Sequence, residues 1–274
     1  MTLENCQQCH GTGWKLVARP DGAGKFAVAC DCGSGERAAL TMNRARIPKR
    51  YEHCDFESYV TDLADGNSTY STRQTQDLRQ AKLMVQKFVE NYPGGDQSGI
   101  LLSGPSGVGK THLAVAALRE LIKRGHSGYF CEYGAVLREI QQTYKDDGEQ
   151  TESRLLKPLL SVEVLLLDDL GCIKPSDWVR DMIGYILNSR YSGASRDHSQ
   201  PRCTIMTTNF GDLAGDKEAR EASGRLIVNR TETLSDRIGP RTRSRLYEVC
   251  RTVEIEKGMP DFRVQIRQST RARA

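Results

Sequence analysis

The sequence predicts an α/β protein, a parallel sheet with helices on both faces, joined to a small metal-binding module at its N-terminal end. Three stretches carry the prediction. GILLSGPSGVGKTHLA (99–114) runs from an apolar strand through a glycine-rich turn into a helix, VEVLLLDDLG (162–171) sets an apolar run before two aspartates, and RCTIMTTNF (202–210) sets another before Thr207, Thr208 and Asn209. Short apolar runs bounded by turn residues read as strands buried on both faces, as in the middle of a parallel sheet, and such sheets hold their ligands at the C-terminal ends of the strands.

The first feature along the chain is two close cysteine pairs, CQQC at Cys6 and Cys9 and CDC at Cys30 and Cys32, separated by HGTGW and PDGAGK. Two thiolate pairs on tight turns, closed across a small hairpin, are what a tetrahedral Zn²⁺ site requires, and so short a module has too little apolar area to fold unless a metal contributes. His10 is the weaker alternative to one of the thiolates, and reduced free thiols are the alternative to a metal site. Cys54, Cys131, Cys172, Cys203 and Cys250 are scattered singly and read as small core residues.

NRARIPKRYEHCDFESY then reads as a basic connector, and 61–74 as a polar, exposed loop. A helix is expected from about Thr75 to Asn91, broken sharply by YPGGDQSG. The expected organisation is a zinc-binding module over 1–50, a linker over 51–74, an α/β domain over 75–263 and a basic tail over 264–274.

Gly104, Pro105, Ser106, Gly107, Val108, Gly109, Lys110 and Thr111 match G-x-x-x-x-G-K-[ST] in the strand–turn–helix setting that gives the motif its meaning. The glycines let backbone N–H groups turn toward phosphate oxygens, and the helix N-terminus adds positive potential. Lys110 reaches the β- and γ-phosphates of ATP, and Thr111 offers its hydroxyl to Mg²⁺. SGYFCEY is a further strand, leading to an amphipathic helix with Val136, Leu137 and Ile140. Asp168 then has the place of the acid that holds Mg²⁺, and Asp169 stands where a glutamate usually orients the attacking water; the alternative is two aspartates starting a turn. Asn209 fits the strand-end polar residue that helps place that water in AAA+ ATPases, or simply caps the next turn.

RIGPRTRSRL (237–246) packs four arginines into ten positions. Gly239-Pro240 suits a helix start, and Arg241 and Arg245, at i and i+4, share one face while Arg237 and Arg243 point elsewhere. Three readings fit: guanidinium groups aimed at a nucleotide on a neighbouring subunit, contacts to DNA phosphates, or a solvated face. From Arg237 onward ten Lys or Arg face four Asp or Glu, a balance of +6, so the upstream chain sums to −2 against a total of +4. That total is too small to imply nucleic-acid binding by the whole molecule; the positive charge is local.

With 38% hydrophobic and 27% charged residues the chain has material for a real core. No run approaches the roughly 18 apolar residues of a membrane span. MTLENCQQCH lacks the basic and apolar regions of a signal peptide, so a cytoplasmic location is expected.

GPSGVGKTHLA, LLLDDLG, TTN and RIGPRTRSRL occur in that order and are followed by MPDFR. On these motifs the chain from about residue 75 to 263 resembles the AAA+ ATPases of the DnaC/DnaI helicase-loader family, which are similar also to the IstB transposition helpers. The resemblance implies a P-loop AAA+ sheet using ATP and Mg²⁺, self-association through the ATPase domains, and a partner in a hexameric DnaB-type replicative helicase to be placed on single-stranded DNA. It implies that Arg241 acts on ATP held by the next protomer with Arg245 in support, and that Arg263 in MPDFR reads the nucleotide of its own subunit. The cysteine module looks like the zinc-bearing, helicase-binding domain of DnaI-type loaders. Two features depart from the family: Asp169 in place of glutamate, and GDLAGDKEAREASGRLIVNRTE (211–232), which lengthens the path from Asn209 to the arginines. Two other readings stand beside this one, a transposition helper of the IstB kind acting on duplex DNA and a transposase, and a nucleotide-gated adaptor with little turnover.

Overall fold

The computed structural model describes residues 6–19, 22, 24–61, 70–94, 97–144, 149–196, 202–212, 216–220, 226–256, 259 and 261–264. The basic tail from 265 and the middle of the expected exposed loop, 62–69, lie outside the described residues. In chain order the elements are β1 (Trp14–Ala18), β2 (Lys25–Ala29), α1 (Ser34–Arg44), α2 (Thr72–Asn91), β3 (Gly99–Ser103), α3 (Lys110–Lys123), β4 (Gly128–Glu132), α4 (Tyr133–Thr143), α5 (Glu149–Ser161), β5 (Val164–Asp168), α6 (Asp177–Arg196), β6 (Cys203–Thr208), β7 (Asp216–Arg220), β8 (Leu226–Arg230), α7 (Leu234–Ile238), α8 (Pro240–Val249) and β9 (Cys250–Glu254).

Five strands form a parallel sheet in the order β4-β5-β6-β3-β9. β3, β5 and β6 are buried at every residue, and their side chains alternate between two apolar layers, as a period of two demands. Ile100, Leu102, Leu166 and Ile205 pack with Leu113, Leu118 and Leu121 of α3 and Val85 and Phe88 of α2. Leu101, Leu165, Leu167 and Met206 pack on the other face with Leu137 and Ile140 of α4 and Ile183 and Ile186 of α6. Both faces are thus covered by helices.

The segment expected as connector and linker is instead built into this body. Ala45, Cys54, Tyr59 and Tyr70 are buried, α1 packs on α3 and β4, and the Phe130 amide donates to the Ala45 carbonyl at 2.7 Å. Apolar and aromatic residues set singly among charged ones supply the cover for α3, so the α/β body begins near residue 34 rather than 75. α2 likewise starts at Thr72 rather than Thr75, because Ser71 caps it: the Ser71 hydroxyl accepts from the Gln74 amide while the Gln74 side chain accepts from the Ser71 amide. Within the long insertion the described strands β7 and β8 pair antiparallel.

Arg190 of α6, 1% exposed, is the largest of the fully buried side chains. Its guanidinium donates to the carbonyls of Leu159, Val162, Glu163 and Cys203 and to the Thr204 hydroxyl, at 2.6–3.2 Å. It ties the end of α5 and the starts of β5 and β6 together at the end of the sheet remote from the phosphate loop.

Candidate nucleotide-binding site

Sheet register assembles the site. Ser103 lies opposite Thr208, and Leu167 opposite Met206, so the loop after β3, the end of β5 and the end of β6 emerge side by side. Residues 104–109 join β3 to α3, with Gly109 as the left-handed N-cap of α3 at φ +88°. A side chain at Gly109 would be strained there and would meet the Tyr59 ring at 2.5 Å; the Tyr59 hydroxyl also donates to the Val108 carbonyl at 3.0 Å. The loop's shape is therefore held by the connector as well as by its own glycines.

Lys110 is buried, and its ammonium donates to the carbonyls of Gly104 and Pro105 at 2.9 and 2.7 Å and to Asn209 Oδ1 at 2.7 Å. The Asn209 amide nitrogen donates in turn to Asp169 Oδ1 at 2.9 Å, linking the lysine, the β6 end and the β5 end in one chain of hydrogen bonds. Asp168 is buried and accepts on Oδ1 from the hydroxyls of Thr111, at 2.8 Å, and Thr207, at 2.7 Å. Asp169 adopts a left-handed conformation, φ +62°, with its amide donating to Thr207 Oγ1 at 2.9 Å. That turn carries adjacent aspartates in different directions, one into the loop and one toward Asn209.

The electrostatics follow from burial. Desolvation raises the Asp168 pKa against the two hydroxyls that lower it, so a hard cation beside Thr111 and Asp168, both oxygen donors, would relieve a buried charge. Burial pulls Lys110 down to about 8 despite Asp169 and Asp168. Anionic phosphates beside the ammonium favour its protonated form, so above pH 8 binding must take up the proton that the free lysine has lost, and affinity falls as pH rises. We expect ATP affinity to be level below about pH 8 and about tenfold weaker at pH 9 than at pH 7; Lys110→Ala should flatten that profile. Titration of a fluorescent ATP analogue across this range checks both.

The arginines divide. Arg263 reaches the phosphate loop of its own chain, donating to Ser106 Oγ at 3.0 Å while paired with Asp261, and the Phe262 amide donates to the Gly107 carbonyl. Arg241 is exposed at the start of α8, and its side chain makes no hydrogen bond or ion pair among the described residues. Arg245, also exposed, donates to Asn188 Oδ1 of α6 at 2.8 Å. Arg243 is buried and binds Asp212 in bidentate fashion, under the Tyr247 ring, and Arg237 pairs with Glu232 and lies over the Phe210 ring, 4.5 Å from its centre. Ion pairs thus occupy Arg237 and Arg243, while Arg245, held to α6 by Asn188, and Arg241 are exposed.

At the N-terminal end β1 and β2 form an antiparallel hairpin, and the sulfurs of Cys6, Cys9, Cys30 and Cys32 all lie within 4.8 Å of one another. The Cys6–Cys30 and Cys9–Cys32 separations are 3.7 and 3.4 Å, close to the edge of about 3.8 Å that a regular tetrahedron with Zn–S bonds of about 2.3 Å requires. Amides of Gln8 and Cys9 hold the Cys6 pKa down at about 6, favouring a ligating thiolate. Four soft donors in this arrangement fit Zn²⁺. His10 is exposed and outside the group.

Sequence reasoning missed Tyr59 and the Asp168 contact of Thr207. The second stood within the quoted TTN; nothing local marks the first, whose partner Val108 is distant in sequence.

Parallel sheet, phosphate loop and polar strand ends together define a P-loop ATP-binding domain of the AAA+ kind. Residues 36–210 match the family described as IstB-like ATP binding protein, and the chain belongs to that family. It is 29% identical over 200 residues to the replicative helicase loader DnaC of Escherichia coli strain K12, covering 72% of this chain and 73% of that protein. Among solved structures, the crystal structure of the DnaC helicase loader superposes with a TM-score of 0.55 at 29% identity, over 76% of this chain and all of that one. DnaI superposes at 0.54 with 26% identity, over 77% of this chain and 95% of that one. Among the described residues no helix is long and apolar enough to cross a membrane.

Proposed function

We propose that this chain is an ATP-dependent loader that captures a hexameric DnaB-type replicative helicase and helps place it on single-stranded DNA when replication starts. The observation that carries this is the likeness to DnaC, which spans the whole of that solved loader structure and takes in the nucleotide site. In this reading Lys110 and the loop amides bind the ATP phosphates, and Thr111 and Asp168 hold Mg²⁺, which neutralises phosphate charge when bound. Asp169 and Asn209 position the attacking water, Arg263 senses the nucleotide in its own subunit, and Arg241, supported by Arg245, completes the site of the next protomer. The hydrogen-bonded chain from Lys110 through Asn209 to Asp169 favours hydrolysis over a purely structural use of ATP, because it ties the water-positioning groups to the γ-phosphate cation.

In this reading the cysteine hairpin, residues 6–33, is a small zinc module ahead of the ATPase domain, and the start of the family match at residue 36, after the cysteines, supports that division. The hairpin exposes Trp14 and Leu16 on one face, an apolar patch of the kind that holds a protein partner. That module also favours a helicase loader over a transposition helper of the IstB kind. Co-expression with a DnaB-type helicase tests the reading: the two should copurify, and Cys30→Ser with Cys32→Ser should remove one zinc per chain and abolish capture while ATP binding persists. Capture unchanged after loss of that zinc would place the helicase contact elsewhere.

A further inference from the structure

We propose that His53, Cys54 and His112 form a second transition-metal site, of the Zn²⁺ class, clamping the segment before α2 to the helix that follows the phosphate loop. The three residues each offer a ligand atom, and these atoms all lie within 4.8 Å of one another. None of the three serves the nucleotide in the arrangement described above.

The donors are graded from core to solvent: Cys54 is buried at 1% exposure, His112 half-buried and His53 exposed. A buried soft donor with an open mouth gives a metal both affinity and a way in. Cys54 Sγ is 3.9 Å from His53 Nε2, and the His53 and His112 rings meet edge to face with centres 6.1 Å apart. The His112 ring is already aimed. Its Nε2 lies 2.9 Å from the Asp55 carbonyl oxygen and 3.3 Å from Ser58 Oγ, and the Tyr59 ring packs against it at 5.4 Å. Such outer contacts fix ligand orientation in metal sites.

Two imidazoles and one thiolate leave a fourth tetrahedral position for water, a donor set that selects Zn²⁺ over the hard cations taken by oxygen sites. A thiol must lose its proton to ligate, so binding is a metal-for-proton exchange: Cys54–SH and M²⁺ give Cys54–S–M⁺ and one released proton. Because His112 lies two residues beyond Lys110, the metal would fix the first turn of α3 to the segment whose Tyr59 supports Gly109.

Metal content of the full chain, loaded with Zn²⁺ and dialysed, tests this. Two equivalents are expected in the native protein and one in the Cys30→Ser, Cys32→Ser variant. His53→Ala, exposed and outside the core, should lower either value by one, with far-UV circular dichroism unchanged. In the double-serine variant Co²⁺ should give the visible absorption of a tetrahedral site, lost with His53→Ala. If the double-serine protein does not fold, His53→Ala in the native background decides alone, through its missing equivalent. Unchanged metal content in His53→Ala, or a native protein whose single zinc disappears with Cys30 and Cys32, overturns the proposal.

Discussion

Arg241→Ala is expected to bind ATP normally and to lose about 10³-fold in hydrolysis by the assembled protein, the loss expected of a missing finger arginine. The geometry behind this is the division of the cluster. Arg243 and Arg237 are held by Asp212 and Glu232, whereas Arg241 is exposed with no side-chain partner among the described residues, free to meet another subunit. A residue acting across a subunit boundary can be supplied by a different chain from the one holding the nucleotide. Mixing Arg241→Ala with Lys110→Ala protein, which keeps Arg241 but holds little ATP, should restore part of the activity, since some interfaces then combine an intact pocket with an intact finger. If the arginine instead contacts DNA phosphates, the defect appears as weakened, salt-dependent DNA binding, with ATP turnover in the absence of DNA untouched and no rescue on mixing.

Arg190→Met should be the most destabilising single change away from the nucleotide. It keeps the volume of the side chain but leaves the carbonyls of Leu159, Val162, Glu163 and Cys203 without their shared donor. Burial lowers the guanidinium pKa to about 10, still charged at neutral pH, and every bond it makes is charge-assisted. Loss of such a buried network is expected to cost about 3–5 kcal/mol. The thermal midpoint should then fall by roughly 10 °C, measured by calorimetry, with ATP affinity of the folded fraction unchanged because the site lies at the other end of the sheet. A fall of only a degree or two would mean that water replaces the guanidinium without difficulty.

The nucleotide site was legible in the sequence because its residues follow strands that announce themselves. Val164–Leu167 is a continuous apolar run and Cys203–Met206 is broken only by Thr204, so Asp168 and Asn209 had to emerge at strand ends, and parallel register then brings them beside Lys110. The cysteine cluster was legible for a similar reason, since spacing alone pairs Cys6 with Cys9 and Cys30 with Cys32. What could not be read depends on long-range partners. Tyr59 supports a loop about fifty residues away and sits in a segment rich enough in charge to pass for a linker. Arg190 in YILNSRYS looks like a surface residue of an amphipathic helix, and nothing local shows that it reaches carbonyls of three other segments. β9 escaped notice because CRTVE has few apolar residues and follows α8 without a turn; as an edge strand on β3 it needs only Cys250 and Val253 inward.

The central claim, that this ATPase places a helicase on DNA, is tested most directly by loading onto closed circular single-stranded DNA, which a hexameric ring cannot thread from an end. DnaB-type hexamers, ATP and this protein are combined with the circle, and helicase retained on DNA is measured after gel filtration. Retention should rise well above that of helicase alone when native protein and ATP are both present, and Lys110→Ala should bring it back to the helicase-only level. Equal retention with and without the protein, or full loading by Lys110→Ala, would contradict an ATP-dependent loader.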